Sequence, residues 1–416
     1  MTPLRTRSRR GRSALLARDV VSRITTYNAD REAERRAMKW RAMQSSPFAF
    51  FRGTASVFWD DLAANTSALP ESPLVWACGD LHLENFGSYR GDNGLAYFDL
   101  NDFDEAARAP LVWELARFVT SLFVAAPVLS ITRQAAARLA STFLAAYRVG
   151  LIDGKARWVE RATAQGMVRD LLHGVKRRTR AALLEKRTIV TRGKRYLRID
   201  HQRALPVTEE QRALVTQWCE RFASSQLDPK FFRVLDVARR VAGTGSLGVE
   251  RFVILVRGDG SPHGNALLDA KQALPSTMAA ALTLPQPSWR SEAERVVTTQ
   301  HRVQAISPAL LRALRFDKTS AVLRELQPVE DRLILSLVPG RERHLQSVAR
   351  TMGNLVAWAH LRASGRAGTA IAEELETFAR TTGWRDALLE YARWYQPQVE
   401  ADAHHFAVAY EDGALS

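Results

Sequence analysis

Apolar side chains recur at helical spacing from residue 15 to 45 without an internal Gly or Pro. The segment reads as one helix stopped by Ser45-Ser46-Pro47. The aromatic run Phe48–Phe51 ends at Arg52-Gly53, and a short helical stretch follows to about Ala64. Leu74–Ala77 and Leu95–Leu100 read as short strands with the turn signal Gly91-Asp92-Asn93-Gly94 between them, which predicts a small hairpin. From Pro110 to about Arg187 the pattern is helical. Thr188–Ile199 alternates around Gly193-Lys194 and reads as a basic hairpin, and residues 207–225 return to helix. The pattern then changes. Val234–Val241, Arg251–Val256 and Ala266–Lys271 read as strands, as do Ser320–Leu326 and Arg332–Leu337. Residues 346–362 and 369–410 are helical again.

These elements predict an α+β chain. A small antiparallel β lobe occupies 235–338, and the larger helical lobe is assembled from 1–234 and 339–416. No stretch is long and apolar enough to cross a bilayer. Arg18, Asp19 and Arg23 interrupt the apolar residues behind the Arg-rich start, which argues against a signal peptide. Cys78 and Cys219 are too few for a disulfide framework or a zinc site, so a reducing, cytoplasmic setting is expected. The net charge of +15 concentrates in Arg5–Arg12, Arg31–Arg41 and Lys155–Arg198. Such charge attracts phosphate-bearing ligands or nucleic acid, yet it also suits a plain solvated surface and does not speak to catalysis.

The chemistry concentrates in two stretches. Cys78-Gly79-Asp80-Leu81-His82-Leu83-Glu84-Asn85-Phe86-Gly87 places an Asp and an Asn five positions apart. Phe98-Asp99-Leu100-Asn101-Asp102-Phe103-Asp104-Glu105 adds a dense acidic cluster. A phosphoryl-transfer site needs one carboxylate to orient a hydroxyl, and a carboxamide plus a further carboxylate to hold Mg²⁺ against phosphates. Asp80 is the candidate base and Asn85 a candidate metal ligand. Asp99, Asp102 and Asp104 compete for the other metal position. His82 is either a hydrogen-bonding brace of the loop or a phosphate contact, and Glu84 is expected to face solvent. Arg52 is a candidate phosphate or substrate contact.

Gly243-Thr244-Gly245-Ser246-Leu247-Gly248 stands between two strands, unlike a dinucleotide-binding turn, which leads into a helix. Strand–glycine loop–strand is the lid that lies over nucleotide phosphates in protein kinases. Gly243, Gly245, Ser246 and Gly248 would line it. Lys271 on the following strand could reach the phosphates, oriented by Glu292 or Glu294 from a following helix.

The order SPFAFFRG, CGDLHLENFG, FDLNDFDE, GTGSLG, LLDAKQA, AWAHLRASG resembles the bacterial family known as domain of unknown function 2252, over about residues 35–411. The resemblance implies a place in the protein-kinase-like superfamily beside aminoglycoside and choline phosphotransferases, which carry a His-Gly-Asp-x-x-x-x-Asn loop and then an Ile-Asp-Phe-Asp type motif. It implies Asp80 as the catalytic Asp, Asn85 and Asp102 as metal ligands, Gly243, Gly245 and Gly248 as the phosphate loop, and Lys271 as the nucleotide lysine. Cys78 stands where those phosphotransferases carry the His before Gly-Asp. The glycine loop and lysine follow the catalytic loop instead of preceding it, so a kinase-like fold here is circularly permuted.

The expected activity is an ATP- and Mg²⁺-dependent transfer of phosphate to a hydroxyl-bearing small molecule. Transfer of AMP by the same residues is one alternative. A catalytically idle protein that binds nucleotide or nucleic acid through the basic segments is the other.

Overall fold

The computed structural model describes residues 19–415 except 244, 261–262, 317–318, 329–330 and 336–340. It is an α+β structure with antiparallel sheets. Helices α1 (Val20–Tyr27), α2 (Ala33–Met43), α3 (Pro47–Gly53) and α4 (Ala55–Ala64) lead into strands β1 (Leu74–Ala77), β2 (Phe86–Arg90), β3 (Ala96–Leu100) and β4 (Ala107–Pro110). Helices α5 (Leu111–Val124), α6 (Arg133–Asp153), α7 (Gly166–Lys176) and α8 (Arg180–Arg187) follow. Next come β5 (Thr188–Thr191), β6 (Lys194–Leu197), β7 (Ala204–Leu205), α9 (Glu209–Ala223), β8 (Val234–Arg240), β9 (Arg251–Val256) and β10 (Ala266–Gln272). The chain ends with α10 (Thr277–Ala281), α11 (Glu292–Val303), β11 (Arg312–Phe316), β12 (Thr319–Glu325), β13 (Asp331–Arg332), α12 (Glu342–Ala363), α13 (Ala372–Arg380) and α14 (Trp384–Glu411).

The helical body is organised around α5, a mainly apolar helix that is buried along its whole length together with its two charged residues, Glu114 and Arg117. Helices α6, α12 and α14 pack around it, and α1–α4 close one side through Ile24, Trp40, Phe51 and Trp59. The β unit is a six-stranded antiparallel sheet in the order β11-β12-β10-β9-β8-β7. Strand alternation gives it two apolar faces. Phe252, Ile254, Val256 and Leu268 meet Trp218 of α9 and Phe232 of the turn that follows it. Val253, Leu255 and Leu267 meet Leu184 of α8 and Leu197 of β6 on the other face. No helix among the described residues is long and apolar enough to cross a membrane.

Several expectations are corrected. The helix expected over 15–45 begins outside the described residues and breaks at Asn28, whose buried carboxamide donates to Ile24 O at 2.7 Å and ends α1. Leu74–Ala77 does not pair with the strand ending at Leu100. It pairs with β4, and the hairpin across Gly91–Gly94 is β2–β3. The expected strand over 332–337 is not seen in its described part: Arg332 belongs to β13, which pairs with β2 in the helical body, and residues 336–337 lie outside the described residues. The elements from α8 to α9 pack on the large sheet, so the β unit starts well before the expected residue 235.

Helices α6 and α12 approach closely at two glycines. A Cβ on Gly353 would lie 2.3 Å from Phe143 O, and one on Gly150 would lie 2.8 Å from Ala357 Cβ. Gly353→Ala gains about 1 kcal/mol of helix propensity, but overpacking against a backbone oxygen costs about 1–3 kcal/mol. A lowered denaturant midpoint is therefore expected. A raised midpoint would show that the helix pair separates freely.

Candidate active site

A cavity of about 350 Å³ opens between the two bodies. Its floor is the loop between β1 and β2 and the loop between β3 and β4, carrying Asp80, Asp102 and Asp104. Its roof is the face of the large sheet that carries Lys271, with Gly243 and Gly245 at the edge. The motifs read from the sequence thus meet in one place, although the floor and roof segments lie far apart in the chain.

Asp80 is held from below. The buried Arg117 of α5 donates from Nε to Asp80 Oδ1 at 2.6 Å and from Nη2 to Phe51 O at 2.9 Å. Burial pushes the Asp80 carboxyl above its ordinary value, and the charge of Arg117 only partly opposes this. The loop itself hangs from Glu114 of α5. Its Oε1 accepts the N–H groups of Cys78 at 2.6 Å and Gly79 at 3.2 Å. His360 Nε2 lies 2.8 Å from Glu114 Oε2, and Tyr147 Oη lies 2.8 Å from His360 Nδ1. Gly79 sits at φ +93°, and a Cβ there would overlap Glu105 O at 1.9 Å, so no other residue fits.

His82 takes the bracing role. Its Nδ1 accepts the N–H of Glu84 at 3.1 Å, and its Nε2 is 3.8 Å from Asp80 Oδ2. Burial, with Arg52 and Arg117 nearby, holds its pKa well below the usual range, so the ring is neutral. Glu84 does not face open solvent as expected. It bridges Arg52 at 2.7 Å and Arg332 at 3.0 Å at the cavity wall.

Asn85 differs from its expected role as a metal ligand. Its Oδ1 accepts the N–H groups of Asp102 at 2.7 Å and Asn101 at 3.3 Å, and its Nδ2 donates to Asp80 O at 2.9 Å and Asp102 O at 3.2 Å. The buried carboxamide clamps the two acidic loops together, and its oxygen is fully used. Asp99 is also removed from the metal set. It is buried, accepts the Leu100 N–H at 2.9 Å and lies 3.7 Å from Arg362, away from the cavity.

Asp102 and Asp104 face the cavity and share Lys271, whose Nζ pairs closely with Asp104 and lies 3.7 Å from Asp102. Lys271 and its neighbours hold Asp102 below the usual carboxylate range even though burial acts the other way. Burial and the charge of Asp102 push Asp104 up. The lysine therefore has its carboxylate partners on the floor. Glu294 is turned to its own helix start, accepting the Arg290 N–H at 2.6 Å, and Glu292 pairs with Arg295. What α11 contributes is Arg295, which donates to Asp104 O at 2.8 Å and Ala106 O at 2.6 Å and so fixes the acidic loop. Among the described residues no three His, Cys, Asp or Glu side chains form a metal cluster. Two carboxylates still fit Mg²⁺, which takes one or two protein carboxylates and completes its shell with phosphate oxygens and water.

The glycine loop is fastened from outside the sheet. Arg31 donates to Gly245 O at 2.8 Å and Leu247 O at 2.6 Å, Arg35 donates to Val249 O at 2.8 Å, and the buried Lys39 lies 3.4 Å from Gly245 O. Gly243 and Gly245 border the cavity. Ser246 Oγ is 3.4 Å from Asp104 Oδ2. Gly248, at φ +87°, packs on the Arg31 side chain and lines a separate groove.

Burial raises the Asp99 pKa from 3.8 to about 6. A group raised on folding adds stability that is fully present below its unfolded value and lost as pH rises through its folded value. The wild type should lose up to ~3 kcal/mol relative to Asp99→Asn between about pH 4 and pH 6.5. Denaturant unfolding at stepped pH reads this difference, and Asp99→Asn should leave ligand binding in the cavity unchanged. A flat difference, or lost binding, would return Asp99 to the site.

Sequence reasoning missed Glu114, Arg117, Arg295 and His360, which are polar residues inside helical runs. It also missed Arg240, Arg251, Asp269 and Arg324 on the roof. Their only signal is alternation, Asp269 and Lys271 being two apart on one strand. No curated protein and no solved structure matches the chain. A family model described as an uncharacterized protein conserved in bacteria matches residues 31–409, and the chain belongs to that family, domain of unknown function 2252.

Proposed function

We propose that the protein is an ATP- and Mg²⁺-dependent phosphotransferase acting on a hydroxyl-bearing small molecule, on a circularly permuted kinase-like fold. The observation that carries this reading is the meeting of Asp80, the Asp102–Asp104 pair and Lys271 around one cavity. The permuted order is supported by the floor loops standing before the glycine loop and lysine in the chain, while the latter lie together on a separate antiparallel sheet.

In this reading Asp102 and Asp104 would hold Mg²⁺, which when bound would offset the negative charge of the phosphates. The remaining work falls to the chain. Oδ1 of Asp80 is taken by Arg117, so Oδ2 is the oxygen left for the acceptor. It accepts the hydroxyl proton as the acceptor oxygen attacks the γ-phosphorus. The bond from that phosphorus to the bridging oxygen breaks, and ADP leaves with the electron pair. The raised pKa of Asp80 makes it a better base than an ordinary carboxylate. Lys271 exchanges its carboxylates for phosphate oxygens, and Gly243 and Gly245 let the backbone come close to the chain of phosphates. Asn85 keeps the base and the metal carboxylates at a fixed separation.

Calorimetry should show ATP binding that depends on Mg²⁺ and is lost in Asp102→Asn. Asp80→Asn should keep that binding and slow ATP consumption by roughly 10²–10⁴-fold. Absence of Mg²⁺-dependent ATP binding in the natural chain would overturn the reading. An AMP-modified product in place of ADP would move it to nucleotidyl transfer by the same residues.

A further inference from the structure

Asp80 also borders a second, smaller chamber of about 60 Å³. It has room for about four water-sized groups. Arg52 and Gly245 border both spaces as well, so the two meet at Asp80. The chamber is lined by Lys39 of α2, which is only 1% exposed. Its Nζ donates to neutral oxygens alone, Asn28 Oδ1 at 2.9 Å and Gly245 O at 3.4 Å. No carboxylate among the described residues pairs with it. Glu105 and Asp80 act on its charge only from longer range, and burial holds its pKa well below the ordinary lysine value. Buried charges are ordinarily paired, so a chamber lined by an ammonium without a counter-ion favours an anion.

Two further features of the wall point the same way. Gly53, Ala55 and Ser56 bring the start of α4 to the chamber. No side chain caps that start, because Thr54 Oγ1 turns back to donate to Phe50 O at 2.8 Å. Its first N–H groups are therefore open to a ligand oxygen. Arg52 pairs with Glu84 through Nη1, but its Nε is a buried donor without a hydrogen-bond partner. The one acid on the far wall, Glu105, is spent on its own surroundings. Its Oε2 accepts the Thr277 N–H at 2.6 Å, the Thr277 hydroxyl at 2.7 Å and the Met278 N–H at 3.3 Å.

We propose that this chamber is the acceptor pocket and that it takes a small hydroxy acid, with the carboxylate at Lys39 and the start of α4 and the hydroxyl at Asp80. The word acceptor rests on the phosphotransferase reading, whereas the preference for an anion rests on Lys39 alone. In the transfer, the hydroxyl oxygen bonds to the γ-phosphorus and gives its proton to Asp80, while the bond to the bridging oxygen breaks and ADP leaves. Lys39 then sets specificity, because a neutral polyol leaves its ammonium without a counter-ion.

Calorimetric titration with D-glycerate and with glycerol, which differ in the carboxylate, tests the pocket. The natural chain should bind D-glycerate at least tenfold more tightly than glycerol, and Lys39→Met should bring the two together. Ser56→Asp guards against a misfolded Lys39 variant. A carboxylate in the first turn of α4 favours the helix, so thermal unfolding should show no loss of stability, yet it should expel D-glycerate by like-charge repulsion. Equal binding of the two compounds, or D-glycerate binding untouched by Ser56→Asp, would overturn the pocket. ATP consumption stimulated by glycerol and not by D-glycerate would also overturn it while keeping the phosphotransferase. D-glycerate binding that needs Lys39, in a protein that ignores ATP with Mg²⁺, would sustain the anion chamber and sink the phosphotransferase reading instead.

Discussion

One buried carboxylate, Glu114, sets the position of the loop that carries Asp80 on the floor of the cavity. It lies on the central helix of the body and holds the backbone of Cys78 and Gly79, the two residues before Asp80. Burial alone would drive its pKa up, but the hydrogen bond from His360 and the two backbone N–H groups hold it below the usual carboxylate range. A group depressed on folding contributes stability above its unfolded value and loses it as pH falls through the folded one. Glu114 is therefore fully engaged at neutral pH. Because His360 and Tyr147 come from α12 and α6, the same carboxylate ties three helices to one loop. Arg117, one helical turn along α5 from Glu114, then fixes the Asp80 side chain itself.

The roof is fixed by a different device, and the joint between the two by a third. Asp269 gathers arginines from three neighbouring strands and stiffens the cavity face of the sheet. Between roof and floor run the Lys271–Asp104 pair and the Ser246–Asp104 contact. The elbow between α1 and α2 closes the arrangement, because its cations hold the carbonyls of the glycine loop while Ile24 and Trp40 anchor it in the helical core. Lys39 shows the strain of that task. It is buried against Asn28, and burial holds its pKa well below the ordinary lysine value. A glycine loop fastened this way has less freedom than one held only by its two strands.

The sequence announced which residues meet at the cavity better than how they are arranged there. Asp80, Asp102, Asp104 and Lys271 were legible as a set because charged residues stand out in short motifs bracketed by strands, and they line one cavity. Roles were less legible. Asn85 has the spacing of a metal ligand, but a carboxamide spends itself equally well on backbone groups, and only three-dimensional proximity of the 78–85 and 101–104 loops decides between the two. Lys271 was expected to meet a helix carboxylate, and the nearer acids on the floor took that place. Strand β2 was hidden because Phe86-Gly87-Ser88-Tyr89-Arg90 begins inside a motif that reads as a loop. Glu114, Arg117 and His360 were hidden for the opposite reason. A polar residue within an apolar helix looks like a surface position until its partners on other helices are known.

The charges of the cavity are segregated, and that segregation narrows what can fill it. The floor presents two carboxylates held near a single ammonium, and the roof gathers three guanidiniums about one carboxylate. A simple anion would suit the roof and be repelled by the floor, and a simple cation the reverse. On the proposed reading, a polyanion that carries its own dication would suit both, with Lys271 turned to the phosphate oxygens and Asp102 and Asp104 to the metal. Lys271 stands at the boundary between the two surfaces. Its present pairing with the acids is the one contact that such a ligand must exchange, since the same ammonium cannot stay closely paired with Asp104 and also face a phosphate without being drawn toward the roof.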